Sequence, residues 1–408
     1  MSFEVLPYSL ARVRAALALV SQLQTSEFPQ PNCRDGIQLI AEMLQARLTL
    51  AEAFNEKTSP EIVDTACHEL LDTLFELLPI LGFFLRSTNV RNAFEFHAPV
   101  ARLVRQLVPN FKLVLSSEWN FSPFTYPQMV SLPNYVLIGL PASESANALA
   151  LPLAGHEIGH AVWEKESLGK EFRPRIVQAL LKEIRGRWDE YRVQFPHVTH
   201  ETLEDLYSSR TWTPAFKWAA SQVEECFCDN FGVRIFGESY LHAFAYLLAP
   251  GLAARNPLYP SNQRRAENLV TASERWGLHL PDEYVSNFRD WPSSLEVSAK
   301  FLCSLADSTA NSVNEDLLEK CDTIATDAGV LPQNHEEVSN IVAAFRKLVP
   351  GTGARALSNI INAGWQAFHD PALWSDYPHI KERRAAVLNE IVLKTVEVFE
   401  IEAVLRGE

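Results

Sequence analysis

Residues 151–164 read "LPLAGHEIGHAVWE", and the fold turns on whether these two histidines and the glutamate grip a metal or form a polar patch on a buried helix. On an α-helix, residues four apart share a face and stand about 6 Å apart, so His156 and His160 can offer two imidazole nitrogens to one ion. Glu157, beside the first histidine, is then placed to take a proton from a metal-activated water. Gly159 removes a side chain where another element can approach closely. Short patterns of this kind also arise by chance, and two histidines can be satisfied on a core-facing helix without any ion. A third ligand decides the matter.

A helix motif continuing with Gly and His three and six residues after the second histidine is not met, because those positions hold Trp163 and Glu166. The expected third ligand is a glutamate from elsewhere, and "SQVEECFCDNFG" (residues 221–232) offers Glu225 on a strongly patterned helix. Ser221, Glu225, Asp229 and Gly232 share one face there, at spacings of four, four and three. Unpaired carboxylates are costly to bury, so two acids on an inner face imply a partner for each. Asp229, one turn after Glu225, is placed to accept the second ring N–H of a ligand histidine, fixing its tautomer and raising its basicity. Cys226 and Cys228 point away from each other on a helix and read as packing residues.

The combination His156-Glu157-x-x-His160 with Glu225-x-x-x-Asp229 resembles the gluzincin group of zinc metallopeptidases. The stretch "YVLIGLPASESANALALPLAGHEIGHAVW", a strand leading through a loop into the histidine helix, is similar to that group as well. The resemblance covers residues 135–265, and "YPSNQRRA" (residues 259–266) is distantly similar to the His-Pro-x-x-x-x-Arg element of the CaaX-processing and heat-shock membrane proteases, with Tyr259 in place of that histidine. It implies a zincin-like core holding Zn2+ on His156, His160 and Glu225, with Asp229 behind a ligand and Glu157 as general base for peptide hydrolysis. It further implies an extended peptide paired with the edge of "NYVLIGLP", and a donor for the developing oxyanion. Tyr240, His242, Tyr259, Arg264, Arg265 and His379 are available for that role, with Tyr259, Arg265 and His242 as the candidate transition-state stabilisers.

Around this core the chain reads as α+β and predominantly helical. Apolar spacing near 3.6 recurs in "GIQLIAEMLQARLTLAEAF" and in "EIVDTACHELLDTLFELL", the latter opened by Ser59 and Pro60. "FKLVLSSEW" and "NYVLIGLP" are short and rich in Val, Ile and Leu, as strands are. After Ser143 helices dominate again, among them "RPRIVQALLKEIRGRWDEYRVQF" and "AFKWAASQVEECFCDNFGVRIFG", while Thr202 and Asp205 have the spacing of a capping box at a helix start. The expected organisation is an N-terminal helical region (1–108), a catalytic core (109–280) and a C-terminal helical region (281–408), with a boundary near "LPDEYVSNFRDWPSS".

The net charge is -14 with 47% hydrophobic residues, which supports a large core and argues against nucleic acid or an anionic membrane as partner. The longest apolar run, "LLDTLFELLPILGFFL", is broken by Asp72, Glu76 and Pro79 and falls short of the roughly 20 residues that a bilayer demands. Arginines inside the first apolar stretch speak against a secretory signal, and six scattered cysteines suit a reducing cytoplasm. The leading expectation is a cytoplasmic zinc metallopeptidase acting on a protein or peptide. The alternatives are a regulatory protease dedicated to one partner and a catalytically silent scaffold, which would have no need of Glu157.

Overall fold

The two apolar runs expected as strands form a parallel pair. In the computed structural model, which describes residues 5–55, 57–89, 93–119, 124–125, 132–144, 146–251, 255–289, 295–375 and 377–407, β1 (Lys112–Glu118) pairs with β3 (Tyr135–Pro141) from Lys112 opposite Tyr135 to Glu118 opposite Pro141. The short β2 (Phe124–Thr125) lies antiparallel on the other side of β3, giving the order β1-β3-β2. β3 is therefore central. The free edge expected for a peptide is taken by β1 along its length and by β2 at Ile138 and Gly139. After their first residue both long strands are buried throughout, the continuous pattern of a parallel pair covered on both faces.

Contacts divide the chain into two units, 1–105 with 110–146 and 106–109 with 147–408. The first holds α1 (Val5–Gln24), α2 (Asn32–Glu52), α3 (Pro60–Arg86), the first three turns of α4 (Ala93–Leu107) and the three strands. Its core joins Val13 and Val20 of α1, Ile37, Ile40 and Leu44 of α2, and Leu70, Leu77 and Phe84 of α3 to Val114 and Leu137 of the sheet. The outer side of β1 is closed by side chains. Gln30 exchanges two hydrogen bonds of 2.8 Å with the Leu115 backbone, and Asn32 Nδ2 donates to Leu113 O at 2.9 Å. Part of an otherwise open row of peptide groups is thereby satisfied, which blunts that edge for strand addition at Leu113 and Leu115.

Among the described residues the elements of the second unit are helices: α5 (Ala154–Lys165), α6 (Leu168–Gly186), α7 (Trp188–Gln194), α8 (Ser209–Phe236), α9 (Glu238–Leu248), α10 (Asn262–Arg275), α11 (Val297–Ser312), α12 (Asn314–Asp327), α13 (His335–Phe345), α14 (Leu357–His369) and α15 (Arg384–Arg406). α8 is its axis, packed by α5, α6, α9, α10, α11, α12 and α14. Every residue from 225 to 236 is buried, as in a helix surrounded on all sides.

The chain is thus predominantly α-helical with a small sheet, but the expected boundaries at 108 and 280 are not those that its contacts draw. The strands group with the N-terminal helices, and residues beyond 280 share one unit with the histidine helix. α14 and α15 brace the 3-10 turn Ala148–Leu153 that leads into α5: Trp365 Nε1 donates to Leu149 O at 2.9 Å and Ala148 N to Asn389 Oδ1 at 2.8 Å. The expected boundary segment forms a 3-10 turn at Tyr284–Asn287, where buried Tyr284 donates to Leu241 O; its end, 290–294, lies outside the described residues.

Two local readings change as well. The helix expected to run on from Arg173 breaks at Arg187 (φ -116, ψ 36), whose side chain is turned onto Glu190 and Ser304. Thr202 does not start a helix; it exchanges hydrogen bonds with Thr199 in a run of turns, and α8 begins at Ser209. Among the described residues no helix is long and apolar enough to cross a membrane.

Candidate metal centre

α5 and α8 cross antiparallel on small residues. Gly155 faces Gly232, Gly159 faces Cys228 and His160 faces Glu224, so advancing along one helix means retreating along the other. A Cβ on Gly155 would stand 3.1 Å from the Gly232 Cα, and one on Gly159 would stand 2.8 Å from the Cys228 Cα. Missing side chains at these points let the backbones approach, which brings the α8 carboxylates within reach of the α5 imidazoles.

At this crossing Glu225 meets both histidines. Its Oε2 lies 3.3 Å from His156 Nε2, and its Oε1 lies 3.8 Å from His160 Nε2. Bonds of about 2.0–2.1 Å at tetrahedral angles would set neighbouring donor atoms about 3.3 Å apart. Among the described residues, His156, His160 and Glu225 form the one group of three whose ligand atoms all lie within 4.8 Å of one another. Glu225 is buried and its Oε2 has no hydrogen-bond partner among the described residues. His156 Nε2 stands opposite that oxygen, so in the metal-free protein the protonated ring is its cation, and a metal would take the place of that proton. Two imidazoles and one carboxylate suit zinc and leave a fourth position open.

Behind the cluster each ring is held from its other nitrogen. His156 Nδ1 lies 2.9 Å from Asp229 Oδ1, as expected. Asp229 accepts three further hydrogen bonds: from Tyr240 Oη at 2.8 Å, from Arg265 Nε at 2.7 Å and from Arg265 Nη2 at 2.8 Å. Burial alone would raise the Asp229 pKa, but the Arg265 charge and these bonds hold it well below the usual carboxylate range. His160 Nδ1 lies 2.8 Å from Glu224 Oε1. With Nδ1 of each ring turned onto a carboxylate, Nε2 of each faces the cluster.

Glu157 is buried, and burial raises its pKa despite the opposing pull of His156 and His160. Burial would lower the His156 pKa, but Asp229 and Glu225 raise it to about 10 in the metal-free protein. Glu225 follows the converse pattern: burial works to raise its pKa, and His156 brings it below the usual range.

The three candidate oxyanion donors part company. Arg265 has Nε and Nη2 on Asp229, so it braces His156 through that carboxylate. His242 stacks on Trp365 (5.3 Å between centroids) and lies 4.7 Å from His369. Tyr259 is half exposed, and the Glu225 charge, ahead of burial, raises its hydroxyl pKa. Its loop is fastened by Gln222 Nε2 on Pro257 O at 2.9 Å and by Arg255 on the carbonyls of Asn256 and Tyr259. Arg264 pairs with Glu267, and His379 sits in a turn beside Tyr377.

Two contacts behind the cluster are not legible in the sequence. Tyr240, available as a donor to substrate, instead fills with its ring the space left by Gly232, where a Cβ would clash with Tyr240 Cε2, and its hydroxyl goes to Asp229. Glu224 is not singled out by the sequence pattern; the antiparallel crossing that takes His156 to Asp229 takes His160, one turn on, to Glu224, the residue before Glu225. Cys226 and Cys228 are buried and free; Cys226 accepts from Asn268, and Cys228 packs on Gly159. Compared with protein-family models, curated proteins and solved structures, the chain matches none.

Proposed function

We propose that this protein is a zinc-dependent peptidase of the gluzincin type, with His156, His160 and Glu225 as ligands and a protein or peptide as substrate. The observation that carries the reading is the convergence of His156 Nε2, His160 Nε2 and the buried Glu225 carboxylate, whose ligand atoms all lie within 4.8 Å of one another, with Glu225 Oε2 3.3 Å from His156 Nε2. When bound, zinc supplies Lewis acidity toward a water and a carbonyl. The chain's own residues do the rest. Burial that raises the Glu157 pKa makes it a stronger base for the attacking water's proton and a carrier of that proton to the leaving amine. Asp229 and Arg265 keep the His156 ring from turning, and Tyr259 is a candidate donor toward the oxyanion. Six free, buried cysteines suit a reducing compartment, which agrees with a cytoplasmic protein.

The test is metal content and peptide cleavage in three proteins. The wild type should hold one zinc per chain, His160→Ala should lose or weaken it, and Glu157→Gln should keep it while losing cleavage. A Glu157→Gln protein that cleaves as well as the wild type rules the mechanism out.

A further inference from the structure

The two carboxylates behind the histidines are unlike each other. Asp229 is buried and occupied by donors from His156, Tyr240 and Arg265, so the His156 ring is anchored in a four-donor knot. Glu224 has 36% of its side chain exposed, and among the described residues His160 is its one hydrogen-bond or ion-pair partner. His160 also stands on the wider side of the cluster, 3.8 Å from Glu225 against 3.3 Å for His156. A neutral imidazole carries one N–H, so a carboxylate at Nδ1 fixes that hydrogen there and leaves the Nε2 lone pair for a cation.

We propose that Glu224 is the positioning residue of the looser ligand: by holding His160 from the surface side it governs how tightly zinc is held and how fast it is released. The inference rests on the zinc reading above. Without Glu224 the His160 ring is free to turn or to carry its hydrogen on Nε2, and either change removes a ligand. No such freedom opens at His156, whose acceptor is itself clamped. The ion therefore leaves by the His160 arm.

Zinc affinity and release are measured by competition with a chromophoric chelator, and the ligand field by the visible spectrum of the cobalt(II)-loaded protein. Glu224→Ala should weaken zinc on the order of 10–100-fold, speed its release and alter the cobalt spectrum, with the metal-free melting temperature unchanged. Glu224→Gln keeps an acceptor but not the charge and should fall between alanine and wild type. Glu166→Ala removes the same charge from the exposed end of α5, where it pairs with Lys165, and should behave as wild type. The inference is overturned if Glu224→Ala releases zinc at the wild-type rate with an unchanged cobalt spectrum, or if Glu166→Ala loses as much affinity. Should the alanine variant not fold, Glu224→Gln identical to wild type overturns it. A wild-type protein that takes up no zinc overturns the zinc reading itself, and this inference with it.

Discussion

Gly159 lies against the backbone of Cys228, where a Cβ would stand 2.8 Å from the Cys228 Cα. No side-chain rotation relieves a clash with backbone, so the α5–α8 spacing depends on this glycine. Gly159→Ala should push the helices apart, cost about 1–3 kcal/mol as overpacking does, and reduce zinc content. Gly186→Ala is the control, since a Cβ there meets nothing within 4 Å; as a helix former it should leave the melting temperature unchanged or raise it. Equal melting temperatures for the two variants would show that the helix spacing is not set here.

The crossing also explains how much was legible in advance. His156, His160, Glu225 and Asp229 could be found from sequence because each pair lies four apart on its own helix, a period that the chain displays directly. Glu224 is one residue from Glu225 and belongs to no such period, so the antiparallel sense of the crossing is needed to place it. β1 and β3 were evident as apolar runs, whereas β2 has two residues and no pattern to show. That β3 is central follows from pairing between distant segments, which local composition does not carry. The same holds for the link from Trp365 and Asn389 to the turn before α5, across more than half of the chain.

Zinc should stabilise the folded chain and do so more strongly as pH rises. An ion that binds the folded state alone at a hundred times its dissociation constant adds about 2.7 kcal/mol. In the metal-free protein His156 is held protonated by Asp229 and Glu225, with its pKa raised to about 10 against burial. A raised histidine stabilises the metal-free fold below the ordinary value of 6.5, and that support is lost as pH rises through about 10. Zinc must displace this proton, so its affinity should increase with pH. Calorimetric titrations in buffers of different ionisation enthalpy should show proton release near neutral pH, and the zinc-induced rise in melting temperature should widen above pH 6.5. A pH-independent zinc affinity would contradict the shared proton.

Arg265 should matter to stability and metal together. Its Nε and Nη2 hold a buried Asp229 in the ionised state. Removing one member of a buried ion pair costs about 3–5 kcal/mol, because the other charge is left unpaired. Arg265→Leu should lower the denaturant midpoint accordingly and weaken zinc through a loosened His156, while Arg265→Lys, lacking the fork, should restore only part of either. The Asp229 pKa is depressed, so the pair's support is complete above its ordinary value of 3.8 and fades as pH falls below it. Acid titration of Arg265→Leu should lack that component.

A second, separate acid sensitivity is expected at His242. Its ring stacks on Trp365 at 18° between planes and lies 4.7 Å from His369. Burial, and then the His369 charge, lower its pKa to about 4. The fold therefore favours the neutral ring, and this contribution is complete above the ordinary 6.5 and lost as pH falls from there toward about 4. His242→Phe keeps an aromatic ring on Trp365 and removes the proton site. The melting temperatures of variant and wild type should run parallel above pH 7 and diverge below pH 6.5, with the variant losing less. Zinc content at pH 7.5 should match the wild type, because the ring partners of His242 are Trp365 and His369 and not the cluster residues. Curves that stay parallel down to pH 4 would mean that protonation at this stack costs the fold nothing, and a loss of zinc in the variant would place His242 in the metal centre after all.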